Sequence, residues 1–348
     1  VTPVELSRTV LHAVRLAVDA GELDVAVPEK AVVAPPRGGG CGDYATGIAL
    51  QLARAAQRPA PDVAAILQAH LARAAGIRDV VLTGPGFLNI SLASSAPAAL
   101  VREILERRER YGCADAPDGR RLVRLHCPLD PRALVVADAA ARILRSQGVP
   151  VRLSCEAALP VEWRTGLGVS PDAVGPAPAE TSVDVRPVPA PGPPEDLLAL
   201  GPDAARWALL HPAPHDRPDI GPGCLAQRET NPLFRVRYAH ARALSVQRNA
   251  ADLGFAAEPG LVDNPLVGLL ADHPRVLATA AEHRAPDRLA RHLVAVADAA
   301  LPFLVTVLPR GAEKPEAAHR ARLALAEAVG AVLAGGLTLL GIDAPDHL

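Results

Sequence analysis

The chain has 348 residues, 49% of them apolar, with a mean hydropathy of +0.16 and a formal net charge of −2. That is enough apolar residue for two or three packed domains, and the scarcity of aromatics (3%) beside abundant Ala, Leu and Val favours helix over sheet. A near-neutral chain exerts no long-range pull on a polyanion, which counts against a bulk nucleic-acid binder and leaves only local basic patches.

In chain order, residues 2–20 predict an amphipathic helix, with Val4, Leu6, Val10, Leu11, Val14 and Val18 on its apolar positions. Residues 29–33 predict a short strand. Pro35 to Gly42 form a loop by composition; no G-K-[ST] follows the glycines, so a P-loop is excluded. Asp43 is expected to cap a helix through Arg54, and a second helix is expected over 61–75. Residues 80–82 and 87–92 read as strands around the Gly84-Pro85-Gly86 turn, and 97–111 as a helix.

The middle of the chain reads as strand 121–127, helix 131–147 and strand 149–155. Together they make one βαβ unit of a doubly wound sheet. Residues 159–194 are rich in Pro, Gly and Ala and read as a linker with one possible strand at 182–187. His211 and His215 fall in a Pro-rich turn region and read as solvated, with no third metal ligand in view.

Residue 231 opens the most informative stretch, NPLFRVRYAHARALSVQRN. Asn231 is a helix cap, Pro232 suits the first helical position, and Gly254 is the stop. Leu233, Val236, His240, Leu244 and Gln247 share one face; Arg235, Tyr238 and Arg242 share another. A tyrosine between two guanidiniums suits stacking on a base while gripping phosphates, and equally suits a snorkelling arginine face around a half-buried tyrosine. Helices are then expected at 264–270, 274–282, 286–308 and 316–333, with a closing turn at 337–342 and a kink or break at Pro302.

Cys41, Cys113, Cys127, Cys155 and Cys224 show no C-x-x-C spacing, so neither a zinc site nor a redox motif is expected. With no basic-then-apolar leader and no apolar run of membrane length read from the sequence, the expectation is a cytoplasmic protein with reduced thiols.

Several phrases, in order, resemble the arginyl-tRNA synthetase family. N-P-x-x-x-V-x-Y-A-H-A-R at 231–242 is similar to the start of its DALR-type anticodon-binding domain. Ala285-Pro286-Asp287-x-Leu289 and the ending from Gly336 to Pro345 are similar to that domain's later signatures. Gly42-Asp43-Tyr44-Ala45-Thr46 and Gly84-Pro85-Gly86-Phe87-Leu88-Asn89-Ile90 resemble its amino-terminal domain, an α+β module that meets the tRNA elbow. Residues 132–153 resemble the segment following the HIGH signature, and 197–210 the G-A-D-A-x-R bridge.

The resemblance implies three parts: residues 1–115 as the amino-terminal domain, 120–210 as a truncated Rossmann-like catalytic remnant with its Pro-rich linker, and 225–348 as the anticodon-binding helical bundle. It implies that Tyr44, Phe87 and Asn89 face the elbow, with a core Phe87 and an Asn89 in a turn or at a strand end as the alternative. It also implies that Arg235, Tyr238, His240 and Arg242 meet the anticodon stem-loop. The HIGH motif is replaced by His126-Cys127-Pro128-Leu129-Asp130-Pro131, and His126 reads as a strand end. No KMSKS loop is present, and there is no lysine between Lys30 and Lys314. No catalytic residue, metal ligand or cofactor is therefore expected, ATP included. The expected function is a non-catalytic, tRNA-binding paralogue; the alternative is a protein-interaction scaffold, and an active ligase is disfavoured. The expected partner is tRNA or another protein, with neither DNA nor membrane.

Overall fold

The computed structural model describes residues 3–36, 42–92, 96–117, 119, 122–177 and 182–347. The glycine loop at 37–41, Cys41 included, lies outside the described residues. The chain divides into two compact units, one running up to Arg102 with Pro259–Asp263 added, the other comprising Glu103–Glu258 and Asn264–Leu348. The middle segment and the helical bundle belong to the same unit.

In the first unit, α1 (Pro3–Asp19) buries Leu6, Val10, Leu11, Val14 and Ala17, as its apolar spacing requires. β1 (Val33–Ala34) and β2 (Tyr44–Thr46) follow, then α2 (Ile48–Ala53), α3 (Ala60–Leu71) and the hairpin β3 (Ile77–Thr83) and β4 (Phe87–Leu92). The sheet is antiparallel, in the order β1-β2-β4-β3. Asp43 does not cap a helix: three strand residues follow it, and its carboxylate accepts from the Leu92 amide (2.7 Å), fastening the end of β4. Gly47 sits at the start of α2 instead.

α4 (Ala96–Arg107) runs into a short 3-10 turn and leads to the second unit. There, β5 (Val123–Cys127), α5 (Pro131–Ser146) and β6 (Val151–Cys155) form the expected βαβ unit, with Val123 beside Val151 and Cys127 beside Cys155 in parallel register. The Pro-rich segment is more than a linker. It carries α6 (Val161–Leu167), β7 (Ala173–Val174), β8 (Ser182–Asp184) and α7 (Pro194–Leu198). β7 joins the outer edge of β6 and β8 the outer edge of β5, giving a parallel sheet in the order β7-β6-β5-β8. β8 falls within the strand expected at 182–187, whereas β7, two residues long, leaves almost no periodic signal.

α8 (Pro202–Leu210) leads through a 3-10 turn at Pro222–Leu225 to α9 (Pro232–Asp252), α10 (Leu266–His283), α11 (Pro286–Leu304) and α12 (Ala317–Leu340). Pro274, at the expected start of a helix, lies inside a continuous α10, and Pro302 lies in the last turn of α11, which ends at Leu304, short of the expected residue 308. A proline costs a helix one backbone hydrogen bond; here both helices are held by the buried faces on either side of it. Likewise α12 does not stop at Leu333 but runs through Gly335 and Gly336, where chains approach closely. A Cβ at Gly335 would stand 2.4 Å from the Glu109 carbonyl oxygen, and one at Gly336 would stand 2.4 Å from Leu293 Cδ2. By length and composition α12 is apolar enough to cross a membrane, contrary to the sequence expectation, but 78% of its apolar window is buried within the protein.

Candidate nucleic-acid interface

Asn231 shows how α9 is set in place. Its Oδ1 accepts from the Leu233 amide (3.1 Å), while Nδ2 donates to the carbonyls of Cys224 (3.0 Å) and Ala226 (2.9 Å). One buried side chain thus caps the helix and ties down the preceding turn. Gly254, with φ +75°, ends the helix as expected.

The two faces of α9 separate largely as its spacing requires. Leu233, Val236 and His240 are buried, and Tyr238 is 44% exposed. Three of the four α9 site residues keep some exposure, but their roles differ. Arg235 is engaged with Asp298 of α11 (3.3 Å). Arg242 is half-buried. Tyr238 lies parallel on Phe234, with ring centroids 5.6 Å apart and planes 7° from coplanar. Phe234 went unremarked in the sequence although its i, i+4 spacing to Tyr238 is the signal for such a pair. His240 is corrected: it is 5% exposed, with Nδ1 at 3.2 Å from the Pro345 carbonyl oxygen, and burial lowers its pKa. It anchors the carboxyl-terminal segment and offers no surface.

In the first unit, Phe87 opens β4 beside the Gly84–Gly86 turn and is 42% exposed. Tyr44 and Asn89 are corrected, because both are buried (8% and 3%). Tyr44 pairs with Ile90 inside the sheet and belongs to the apolar core. Asn89 is in mid-strand, not in a turn, and its Nδ2 donates to Thr83 Oγ1 (2.8 Å) across the hairpin.

The parallel sheet changes direction between β5 and β8, and an open α/β sheet takes its ligands just beyond the carboxyl ends of the strands at that point. Here two carboxylates take up the amides just beyond β5. Asp130 caps α5, its carboxylate accepting from the Ala133 amide (2.8 Å), and Glu156 accepts from the Leu129 amide (2.9 Å). The helix dipole and the free amides that would attract a phosphate are thus met by the chain's own carboxylates. His126 is the penultimate residue of β5, 3% exposed, with Nδ1 at 3.0 Å from Ser154 Oγ.

Two buried arginines organise the same region. Arg132, fully buried in the first turn of α5, donates to the carbonyls of Val188, Leu209, Pro212, Ala213 and Asp216 at 2.6–3.3 Å. Burial lowers its pKa. Arg206 of α8, 1% exposed, donates to the carbonyls of Leu340 (2.9 Å) and Leu167 (2.8 Å) and to the Asp138 carboxylate (2.6 Å). Gly341 makes room for it: with φ +71°, its missing Cβ would stand 2.4 Å from the guanidinium. Sequence reasoning missed both roles, because an arginine's burial leaves no local mark. His211, expected in a solvated loop, instead stacks on Trp207 (5.3 Å between centroids).

The chain is thus built from an amino-terminal α+β module, a parallel-sheet middle and a carboxyl-terminal helical bundle. Residues 236–348 match the DALR anticodon binding domain, and residues 5–92 match the arginyl tRNA synthetase N terminal domain. An arginine–tRNA ligase of Clavibacter sepedonicus is 41% identical over 165 residues, covering 44% of this chain and 30% of that protein. One from Frankia alni is 26% identical over 551 aligned positions that take in the whole of both chains. The solved arginyl-tRNA synthetases of Thermus thermophilus (TM-score 0.70, 16% identity, 100% of both chains) and Plasmodium falciparum (TM-score 0.70, 8% identity, 99% of both chains) share the fold. The chain belongs to the arginyl-tRNA synthetase family.

Proposed function

We propose that the chain is a non-catalytic member of the family, cytoplasmic, that binds tRNA, with arginine-accepting tRNA as the preferred ligand. The observation that carries this reading is the occupied amino-terminal end of α5. Asp130 and Glu156 take up the Ala133 and Leu129 amides just beyond β5, where a triphosphate would need donors and positive charge. Three further features support it. The HIGH motif is replaced by His126–Pro131; no lysine lies between Lys30 and Lys314 to serve a KMSKS loop; and 551 aligned positions against 348 residues leave at least 203 opposite gaps in this chain. The end domains keep what RNA binding needs: an exposed Phe87 on one, and the exposed Tyr238 with half-buried Arg242 on the other. Two modest contacts on one rigid RNA reinforce each other through effective concentration.

A salt-dependent gel shift tests the binding half. Arginine-accepting tRNA is expected to bind more tightly than other tRNAs, and affinity to fall steeply with salt. Equal or absent binding across tRNAs would overturn it. Arginine-dependent ATP–pyrophosphate exchange tests the catalytic half, and measurable exchange would overturn that. The alternative of a protein-interaction scaffold rests on the net charge of −2 and on Arg235 being engaged with Asp298; partners that survive ribonuclease treatment would favour it.

A further inference from the structure

The two faces of the parallel sheet differ in character. α5 packs on one, where Leu125, Cys127, Leu153 and Cys155 are buried. Side chains alternate along a strand, so Arg124, His126, Arg152 and Ser154 belong to the other face. Parallel sheets are ordinarily covered on both sides; among the described residues, α5 is the helix that packs against β5 and β6.

Register places Arg124 directly beside Arg152 on this second face, next to the buried His126 and Ser154. Neighbouring strands lie ~4.8 Å apart, and like charges so placed repel. Arg124 is half-buried and Arg152 exposed. The nearby carboxylates are engaged elsewhere. Asp184 faces Arg186 (3.5 Å), and Asp172 meets Arg145 (3.2 Å) and the Leu153 amide (2.7 Å). Among the described residues neither Arg124 nor Arg152 has an ion-pair partner. Both line a cavity of about 260 Å³, with Ser154 and the Ala173–Pro176 turn as its other walls.

We propose that Arg124 and Arg152 bind a phosphate group, as free phosphate or as the monoester end of a nucleotide. Two adjacent guanidiniums match an anion carrying close to two charges, whereas a carboxylate would balance only one of them. The planar fork of each arginine suits phosphate oxygens. The volume lies below the ~300–1,000 Å³ of sites for drug-sized ligands, which fits a group of a few heavy atoms. This site lies on the face of the sheet away from α5 and does not depend on the tRNA reading.

The test is calorimetric titration of the full chain at fixed ionic strength, first with inorganic phosphate and then with adenosine 5′-monophosphate. Saturable binding is expected, weakened about tenfold or more in Arg124→Gln and in Arg152→Gln. Tighter binding of the monophosphate would identify an esterified phosphate as the ligand, and equal binding a free one. No saturable binding of either probe, or binding unchanged in both variants, would overturn the proposal. Without ligand, Arg152→Gln is expected to melt no lower than the parent, because it relieves the repulsion. A lowered midpoint would mean the arginine serves the fold and would also overturn it.

Discussion

Acidification should destabilise the second unit through two buried histidines. His273 of α10 and His292 of α11 are 2% and 7% exposed, with ring centroids 5.3 Å apart; Tyr111 stacks on His273 at 5.9 Å. Nδ1 of His273 and Nε2 of His292 are buried without a hydrogen-bond partner. Burial holds His273 well below the usual histidine range and brings His292 down to about 4; Asp272 opposes the effect on His292 and Arg275 adds to it. Both rings are therefore neutral in the fold, while in the unfolded chain they take up protons below about 6.5. The unfolded state binds more protons between those values, so stability is full above pH 6.5 and falls as pH drops toward 4. For His292 alone, ~1.36 kcal/mol per pH unit gives a loss of about 3 kcal/mol by pH 4 and about 2 kcal/mol at pH 5, with His273 adding in the same direction. Urea denaturation at pH 7 and pH 5 measures it. The parent should lose about 2 kcal/mol more between those pH values than His292→Leu, which has no ring to protonate. Equal losses would refute the reasoning.

Other expectations follow from single contacts. Asp138→Ala leaves the Arg206 guanidinium buried without its carboxylate, and should cost about 3–5 kcal/mol in denaturant unfolding; a loss under about 1 kcal/mol would show that the carbonyls of Leu167 and Leu340 suffice. Tyr238→Ala removes a ring that is 44% exposed, so stability should change by under about 1 kcal/mol. If a base stacks there, tRNA affinity should fall roughly fivefold to a hundredfold in a gel shift, the effect of losing ~1–3 kcal/mol. Cys127 and Cys155, each 0% exposed, should resist a maleimide reagent in the native protein and react once urea is added; burial, together with the neighbouring Cys155, raises the Cys127 thiol pKa. Rapid native labelling of both would contradict their burial.

The parts of the fold that sequence revealed were those with long periodic signals. α1, α5 and α9 announce themselves by apolar spacing, and α9 also by its cap Asn231, which the structure keeps. The parts it hid depend on partners far along the chain. Asp43 has cap chemistry, but its carboxylate finds Leu92, forty-nine residues on. β7, a strand of two residues, forms against the edge that β6 offers it. Among the site residues, Phe87 and Tyr238 are exposed, whereas Tyr44, Asn89 and His240 carry the same polar lettering and are buried. A family phrase preserves a residue for packing as readily as for contact, and the phrase alone cannot separate the two.

The buried arginines explain how so small a parallel sheet keeps its place. Four strands with one covering helix bury too little to stand alone as a domain. α5 resolves this by being enclosed: from Arg132 to Leu144 all but one of its residues are buried, and it packs against β5 and β6 and also against α8, α10, α11 and α12. Arg132 then fastens the start of α5 to five carbonyls between Val188 and Asp216, and Arg206 fastens its centre, through Asp138, to the ends of α6 and α12. Each guanidinium satisfies carbonyls that would otherwise be buried without donors. On the proposed reading, the α5 terminus that in a catalytic relative would face a nucleotide is here committed to structure, with Asp130 closing its amides and Arg132 holding the chain across it.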